Sequence, residues 1–225
     1  YILSSERLLK MLTHKISYDT ERFNFKTLVQ NHYKTDDLEH IDRLLDKEVP
    51  FFEDKTFDQS TDLHKHFYKI YEQGNFLNLY KQFIREYIQP EYGEDLVFQA
   101  KPTFRVHLPN NVAVGEWHKD GDYNHQRSEI NYWMPFTKAF GNNTIWMETE
   151  EDKGDYQCYD VDYGEVLVFN GAFLKHGNKP NDTGACRVSM DFRIIPHSQY
   201  QAVKATSANF HLKFEIGSYY DVLKL

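Results

Sequence analysis

The feature that most constrains the fold of this chain is a change of hydrophobic pattern near residue 96. Before it, apolar residues recur three and four positions apart, as in Leu38, Ile41 and Leu45, which is typical of amphipathic helices. After it come short runs of β-branched and aromatic residues, separated by Gly, Asn, Asp and Pro. The pattern predicts a mainly helical portion over residues 1–95, which packs on a mostly β core over residues 96–225 within one domain.

The second part of the chain contains six predicted strands. They cover Phe98–His107, Ser128–Phe136, Asn143–Glu148, Gln157–Val161, Glu165–Asn170 and Cys186–Ile195. Strands of this length and spacing predict an antiparallel sandwich or barrel.

Helices are predicted wherever the helical spacing recurs in the first part. Besides the segment around Ile41, these are the groups Leu8, Leu9, Leu12; Leu63, Phe67, Ile70, Tyr71; and Phe76, Leu79, Tyr80, Phe83, Ile84, Tyr87. Asp36 with Glu39 resembles a capping box, and Asn75 is expected to cap a helix that ends before Pro90. His64 and His66 point in different directions on one helix and are predicted to be surface residues.

Composition excludes several classes of function. The chain of 225 residues has 34 acidic and 26 basic residues and a net charge of −8, which argues against general binding of nucleic acid or of anionic membranes. No apolar run reaches the roughly 18 residues that span a bilayer. The two cysteines, Cys158 and Cys186, lack CxxC spacing, and no secretory leader is apparent, so a reducing, cytoplasmic setting is expected. The chain begins at Tyr1 rather than methionine, which leaves room for residues upstream.

A candidate metal site begins in the stretch EWHKDGD, residues 116–122. His118 and Asp120 follow an extended stretch, and side chains two apart in an extended chain project to the same side. The same spacing in His40-Ile41-Asp42 falls on a predicted helix, where the two side chains diverge. His118 and Asp120 could therefore face one ion. A polar loop that closes a hairpin is the alternative.

A second group of polar residues follows the apolar strand Glu165–Asn170. His176 lies just beyond this strand, and Arg187 comes eleven residues later. Side chains alternate between the two faces of the strand that begins at Arg187. One face is apolar and consists of Val188, Met190, Phe192 and Ile194. The other face is polar and consists of Arg187, Ser189, Asp191 and Arg193. The polar face either meets solvent or lines the inside of a barrel, where it could hold an anionic cosubstrate beside the metal.

The ordered set His118-x-Asp120, His176 and Arg187-x-Ser189 resembles the Fe(II)- and 2-oxoglutarate-dependent oxygenases. The runs EWHKDGDYNHQRSEINYWMPFT and KHGNKPNDTGACRVSMDFRI are most similar to the phytanoyl-hydroxylase-like and StrG-like members, the latter associated with antibiotic biosynthesis. The resemblance covers about residues 96–196. It implies a double-stranded β-helix, a jelly roll of the cupin type, with flanking helices.

The resemblance also implies roles for individual residues. His118, Asp120 and His176 would bind Fe(II), and two imidazoles with one carboxylate leave open positions on the iron for 2-oxoglutarate and O₂. Arg187 and Ser189 would bind the remote carboxylate of 2-oxoglutarate, since a planar guanidinium matches a carboxylate. Succinate and CO₂ would be released as a C–H bond of the substrate is oxidised.

Other assignments rest on proximity to this motif. Asn131 shares a strand face with Trp133 and is a candidate donor to 2-oxoglutarate, or else a structural amide. Arg193, Arg105 and Trp133 are candidate substrate-binding residues, and each arginine could equally be a salt-bridged residue of the barrel.

The sequence is compatible with three functions. The leading one is a 2-oxoglutarate-dependent hydroxylase of a small polar metabolite, such as a sugar, a cyclitol or an antibiotic-pathway compound. The others are a cupin-like metalloprotein of different chemistry and a jelly-roll binding module without catalysis. The expected partner is a small molecule, with no nucleic acid and no membrane, and the oligomeric state is left open.

Overall fold

The structure is a computed structural model that describes residues 13–46, 61–113, 116–207 and 211–225. The helix predicted at Leu8, Leu9 and Leu12 lies outside these residues. The α-helices are α1 (Phe25–Tyr33), α2 (Asp62–Phe67), α3 (Asn75–Phe83) and α4 (Gln89–Tyr92). 3₁₀ segments cover Leu38–Leu44, Tyr68–Gln73, Asp120–Tyr123 and His197–Gln199, and a π-helical turn covers Ile84–Ile88. In the part of the chain described, no helix is long and apolar enough to cross a bilayer.

The strands form two antiparallel sheets. They are β1 (His14–Ser17), β2 (Leu96–Gln99), β3 (Thr103–His107), β4 (Ile130–Pro135), β5 (Trp146–Met147), β6 (Gln157–Cys158), β7 (Glu165–Phe169), β8 (His176–Gly177), β9 (Arg187–Pro196) and β10 (Tyr220–Leu223). The larger sheet has the order β1-β7-β4-β9-β2-β10, and β3 also pairs with β9. The smaller sheet has the order β6-β5-β8. These sheets confirm the predicted mostly β core with flanking helices.

Strand β9 lies at the centre of the larger sheet, and all ten of its residues are buried. It pairs with β4 along one edge and with β3 and β2 along the other. Its apolar face, with Met190 and Phe192, belongs to the main hydrophobic cluster. Its polar face, with Arg187, Asp191 and Arg193, lines an interior pocket. Of the two interpretations of the polar face, the structure therefore shows the barrel interior.

The helices cover the outer face of the larger sheet. Phe67 of α2 stacks on Phe104 of β3 with ring centroids 3.6 Å apart, and Tyr80 of α3 meets Phe192 of β9 edge-on at 5.0 Å. Burial of an aromatic or large aliphatic side chain stabilises the fold by about 1.5–3 kcal/mol. A second cluster lies between the sheets and includes Trp133 of β4 and Met147 of β5. The helices thus cover the apolar face of β9, and the smaller sheet closes over its polar face.

Several predicted strand boundaries differ from the structure. The predicted strand Phe98–His107 is two strands, β2 and β3, because Pro102 cannot donate a ladder hydrogen bond between them. Three strands that the pattern did not predict, β1, β8 and β10, complete the sheets. Each is four residues or shorter, too short for alternation to be recognised.

The predicted helix caps are wrong. The segment after Asp36 begins as a 3₁₀ helix at Leu38. Asp37 stands at its N-cap without a capping hydrogen bond, because its carboxylate binds His40 Nδ1 at 2.9 Å. Gly74, not Asn75, is the N-cap of α3.

The helix of α3 also continues past the predicted end at Pro90. The π-helical turn Ile84–Ile88 follows α3 and leads into α4, and Pro90 lies in the first turn of α4. Proline is tolerated there because the register changes and its missing N–H has no required acceptor.

His64 is buried, with 1% exposure, although the sequence predicted a surface residue. Its Nε2 accepts a hydrogen bond from Val106 N–H at 3.3 Å, and its Nδ1 lies 2.7 Å from Thr61 Oγ1. The ring thus satisfies a backbone donor of β3. Burial, with a smaller contribution from Arg105, lowers the pKa of His64 from 6.5 to about 3. His66 is exposed as predicted.

We expect His64 to make the stability of the protein pH-dependent. Its pKa is lower in the folded state, so only the unfolded state gains a proton as the pH falls below about 6.5. This stability is present above pH 6.5 and is lost between pH 6.5 and about 3. The loss from pH 7.5 to 5 should be about 2 kcal/mol for one such histidine. Urea unfolding of wild type and His64→Gln at these pH values measures it.

The variant His66→Gln is the matched control, because it makes the same change on the exposed side of α2. His64→Gln should be less stable at pH 7.5 and lose less stability on acidification, whereas His66→Gln should follow the wild type. Equal pH dependence in all three proteins would contradict the role of His64.

Candidate active site

Three potential metal ligands, His118, Asp120 and His176, lie close together at the edge of the smaller sheet. His118 pairs with His176 of β8 through two backbone hydrogen bonds of 3.0 and 2.9 Å. Asp120 begins the next 3₁₀ segment. The Asp120 Oδ1 atom lies 3.5 Å from His118 Nε2 and 3.8 Å from His176 Nε2. Across the residues that the structure describes, this is the one group of three or more such side chains whose ligand atoms converge, all within 4.8 Å of one another.

Both imidazoles are held in the tautomer that a metal ion requires. The Nδ1 atom of His118 is 2.9 Å from the carbonyl oxygen of Glu116, and that of His176 is 2.8 Å from the carbonyl oxygen of Leu174. A carbonyl only accepts, so each Nδ1 carries the proton and each Nε2 keeps its lone pair. The donor set of two imidazole nitrogens and one carboxylate oxygen therefore fits a divalent transition metal with open positions.

The electrostatic environment keeps Asp120 and His176 in their metal-binding forms. Burial opposes ionisation of Asp120, but the Arg193 guanidinium holds the pKa of this carboxyl well below its usual value. Burial, followed by the neighbouring His118, lowers the pKa of His176 to about 4. Near neutral pH the carboxyl is ionised and His176 is neutral.

The second atom of the Asp120 carboxylate is fully engaged by the protein. Asp120 Oδ2 accepts from Asn131 Nδ2 at 2.7 Å and from two nitrogens of Arg193, NH2 at 2.8 Å and Nε at 3.2 Å. The backbone N–H of Asp120 donates to the Gly171 carbonyl at 2.7 Å. Only Oδ1 therefore faces the two histidines.

Arg187 and Ser189 lie at the start of β9 and are buried, with 2% and 0% exposure. Arg187 donates from Nε to the Asn143 carbonyl at 3.0 Å and from NH1 to Ser189 Oγ at 2.7 Å. Its guanidinium carbon lies 5.4 Å from the centroid of the Trp133 ring. Burial, followed by the charge of Arg187, lowers the pKa of the adjacent His107 to about 3.

One pocket is lined by both ligand histidines and by Arg187. Its lining residues are Arg105, His118, Asn131, Trp133, Ile145, Phe169, His176, Gly177, Asn178, Arg187, Asp191 and Arg193. The structure thus brings together the residues that the sequence singled out, although they come from several separate stretches of chain.

Three further predicted site residues, Asn131, Arg193 and Arg105, have side-chain hydrogen bonds within the protein. Asn131 donates to Asp120, and its Oδ1 accepts from Gly171 N–H at 3.1 Å. Arg193 binds Asp120 and, through NH1, Asp191 at 3.1 Å. Arg105 Nε donates to the other oxygen of Asp191 at 3.2 Å. Both arginines therefore contact carboxylates of the barrel.

The sequence did not identify three residues that support the site. The Gly171 carbonyl accepts a hydrogen bond from the Asp120 N–H, and Glu129 and Tyr220 lie behind Arg193. Strand alternation could have indicated that Glu129 points to the same side as Asn131, because the two residues are two positions apart. No local pattern marks Tyr220, which comes from the far end of the chain.

Gly171 leaves no room for a larger side chain beside the metal ligands. A Cβ atom at this position would lie 2.8 Å from Asp120 Oδ2 and 2.8 Å from Asn131 Nδ2. Both atoms are held by hydrogen bonds, so one of the side chains must move. We expect Gly171→Ala to displace the carboxylate and weaken binding of a divalent metal about 10- to 100-fold, the usual effect of disturbing the supports of a ligand. Titration with Co(II) measures this.

The control for this prediction is Gly164→Ala. Gly164 has a φ of 97°, where an L side chain is strained, and a Cβ there meets Thr20 rather than a metal ligand. Gly164→Ala should lower the melting temperature and leave Co(II) affinity unchanged. Unchanged Co(II) affinity in Gly171→Ala would contradict the described position of Asp120.

Comparison with known proteins places this site in a family. No family model matches the chain. It is 38% identical over 212 residues to the streptomycin biosynthesis protein StrG of Streptomyces griseus, an alignment that covers 93% of this chain and 98% of that protein.

Among solved structures, EctD from S. alaskensis in its apo form superposes with a TM-score of 0.50 at 10% identity, over 94% of this chain and 84% of that one. CytC3 with Fe(II) and alpha-ketoglutarate gives a TM-score of 0.49 at 14% identity, over 86% of this chain and 77% of that one. The EctD superposition bears on the fold alone and agrees with the predicted double-stranded β-helix.

The chain thus combines 38% identity along nearly the full length of both proteins with a group of three convergent ligand side chains, His118, Asp120 and His176. The chain belongs to the family of the streptomycin biosynthesis protein StrG.

Proposed function

We propose that this protein is a 2-oxoglutarate-dependent hydroxylase of a small polar metabolite, such as a sugar, a cyclitol or an antibiotic-pathway intermediate. One observation carries the proposal: the ligand atoms of His118, Asp120 and His176 converge, and both histidines line a pocket that the buried Arg187 also lines. The name of the StrG relative supports the biosynthetic setting.

In this proposal Fe(II) is held by Nε2 of His118, Oδ1 of Asp120 and Nε2 of His176. When bound, the iron, 2-oxoglutarate and O₂ supply the oxidation, which adds one oxygen atom to a substrate C–H bond and releases succinate and CO₂. The side chain of His118 is 16% exposed and that of Asp120 only 5%, so the substrate is expected to approach from the His118 side.

Arg187 and Ser189 are proposed to bind the remote carboxylate of 2-oxoglutarate. Ser189 Oγ accepts from Arg187, which leaves its own hydroxyl proton available for an anion. The guanidinium can offer two parallel N–H donors to a carboxylate, which a lysine cannot. The apolar side chains of Trp133, Ile145 and Phe169 line the same pocket and strengthen this interaction by excluding water.

We also propose roles for Asn131, Arg105 and Trp133. Asn131 is proposed to orient the Asp120 carboxylate, because its amide nitrogen is already bound there. Arg105, whose side chain is 14% exposed, remains the candidate for a polar group of the substrate, and Trp133 for an apolar contact.

Removal of either histidine should abolish iron binding. His118→Ala and His176→Ala each delete a proposed ligand, while the hydrophobic clusters that support the fold are untouched. Anaerobic Fe(II) titration should therefore show no tight binding in either variant, with far-UV circular dichroism unchanged. His197→Ala, which removes an exposed histidine, is the control. Tight binding by both site variants would refute the metal assignment.

Binding of 2-oxoglutarate tests the second half of the site. The 2-oxo acid chelates iron, so adding it anaerobically to the Fe(II) protein should produce a weak visible charge-transfer band. Arg187→Ala leaves the remote carboxylate unpaired in a buried site, which should cost about 2–5 kcal/mol of binding. We expect the wild type to bind most tightly, followed by Ser189→Ala and then Arg187→Ala, with Arg187→Lys recovering part of the loss.

The surface variant Arg22→Ala is the control, because its side chain is 59% exposed. It should bind 2-oxoglutarate as the wild type does. If the wild type gives no band and forms no succinate in air, the oxygenase function fails, and a cupin-like metalloprotein or a binding module replaces it.

A further inference from the structure

The orientation of the Asp120 carboxylate is determined by two side chains that would not touch the metal. Oδ2 receives hydrogen bonds from Asn131 and from two nitrogens of Arg193, between 2.7 and 3.2 Å. These three donors exhaust the acceptor capacity of this oxygen. Asp120 can therefore offer only Oδ1 to an ion, and the plane of its carboxylate is set by Arg193.

The other side of the Arg193 guanidinium binds two side chains from the larger sheet. Its NH1 donates to Asp191 Oδ2 at 3.1 Å and to Gln99 Oε1 at 3.2 Å. Gln99, on β2, is itself held by Thr103 Oγ1 at 3.1 Å and by the Lys101 carbonyl at 2.8 Å. Arg193 is 6% exposed, so its guanidinium is buried.

A third carboxylate, Glu129, links Arg193 to the C-terminal strand. Glu129 Oε2 lies 3.7 Å from Arg193 Nε and 2.8 Å from His125 Nδ1. Its Oε1 accepts from Tyr220 Oη at 2.5 Å and from Gln126 N–H at 2.9 Å. Tyr220 belongs to β10, which joins the large sheet beside β2. A continuous path of polar contacts runs from β10 through Glu129 and Arg193 to Asp120.

We propose that Arg193 is a positioning residue for the iron-binding carboxylate and that Glu129 and Tyr220 hold Arg193 in this position. The inference rests on the proposed function, since Asp120 must be a metal ligand. A carboxylate free to rotate could bind the metal through both oxygens and occupy a position that 2-oxoglutarate needs. Arg193 prevents this, and the C-terminal strand thereby completes the metal site.

This role differs from binding of an anionic substrate or of 2-oxoglutarate by Arg193. A positioning residue changes the affinity for the metal alone, with no anion present. An anion-binding residue changes the affinity for the anion and leaves the affinity for the metal as it was. Titration of the metal without 2-oxoglutarate therefore separates the two.

The experiment titrates the purified full chain with Co(II), whose visible spectrum reports the number of coordinating atoms, in competition with a chelator. The variants are Arg193→Lys, Tyr220→Phe and the double variant. Tyr33→Phe is the matched control, because it also removes one buried hydroxyl, which donates to the Leu63 carbonyl at 2.5 Å. His176→Ala reports whether Co(II) binds at the proposed site.

We expect Arg193→Lys to weaken Co(II) binding about 10- to 100-fold and to change the visible spectrum, because the Lys ammonium cannot hold Oδ2 with two donors. Tyr220→Phe should weaken binding severalfold, and Tyr33→Phe should match the wild type. The effect of Tyr220→Phe should disappear in the Arg193→Lys background, since residues that act through one another are not additive.

Wild-type affinity and spectrum in both Arg193→Lys and Tyr220→Phe, with binding lost in His176→Ala, would overturn the positioning role and leave the proposed function intact. Unchanged Co(II) binding in His176→Ala would overturn the proposed metal site and this inference with it. If Arg193→Lys does not fold, Tyr220→Phe decides: affinity equal to that of Tyr33→Phe refutes the proposal. Weaker 2-oxoglutarate binding with normal Co(II) binding in Arg193→Lys would also refute it.

Discussion

The structure depends on one constraint, which is that strand β9 is buried on both faces while one of them is charged. Most antiparallel strands with this alternation expose their polar side to water. Here the helices cover the apolar side, and the second sheet closes over the polar side. Taking a charge out of water costs several kcal/mol unless it is paired, so every charged side chain on this face needs partners from neighbouring strands.

The side chains that pair with the charged residues of β9 also form the candidate active site. Asp191 lies between Arg105 and Arg193, and Arg193 binds Asp120 as well. Arg187 donates to a backbone carbonyl and to Ser189 at the other end of the strand. The charged groups on the polar face therefore differ along the strand. Carboxylates lie near the proposed metal ligands, and the Arg187 guanidinium lies at the far end, where an anionic cosubstrate would bind.

Much of this arrangement could be predicted, because period-two alternation is a local property. The opposite faces of β9 and the shared direction of His118 and Asp120 follow from side-chain geometry alone. The resemblance to a known family then supplied the grouping of His118, Asp120 and His176, which the structure shows in one place. Local pattern could not predict that the side chains of Asn131 and Arg193 would converge on one oxygen, since that depends on the register between β4 and β9.

The errors in prediction have a common physical origin in tertiary contacts. His64 looks like a surface histidine on a short helix, yet β3 needs an acceptor for the Val106 N–H, and His64 provides it. Pro90 looks like a helix stop, yet the π-helical turn before it changes the register so that the chain continues. In each case a backbone hydrogen-bond requirement outweighs the local signal.

The two halves of the site differ in how they are supported, and this has a mechanistic consequence. Arg187 and Ser189 lie within a ten-residue strand that is paired along both edges, so their positions follow from the sheet itself. His118 and Asp120 lie outside the regular strands, on an isolated bridge and a 3₁₀ segment. Their geometry is maintained by individual hydrogen bonds to His176 and to Gly171. The half proposed to bind the metal should therefore respond to changes at distant positions far more readily than the half proposed to bind 2-oxoglutarate, because losing one hydrogen bond moves a ligand but does not unpair a strand.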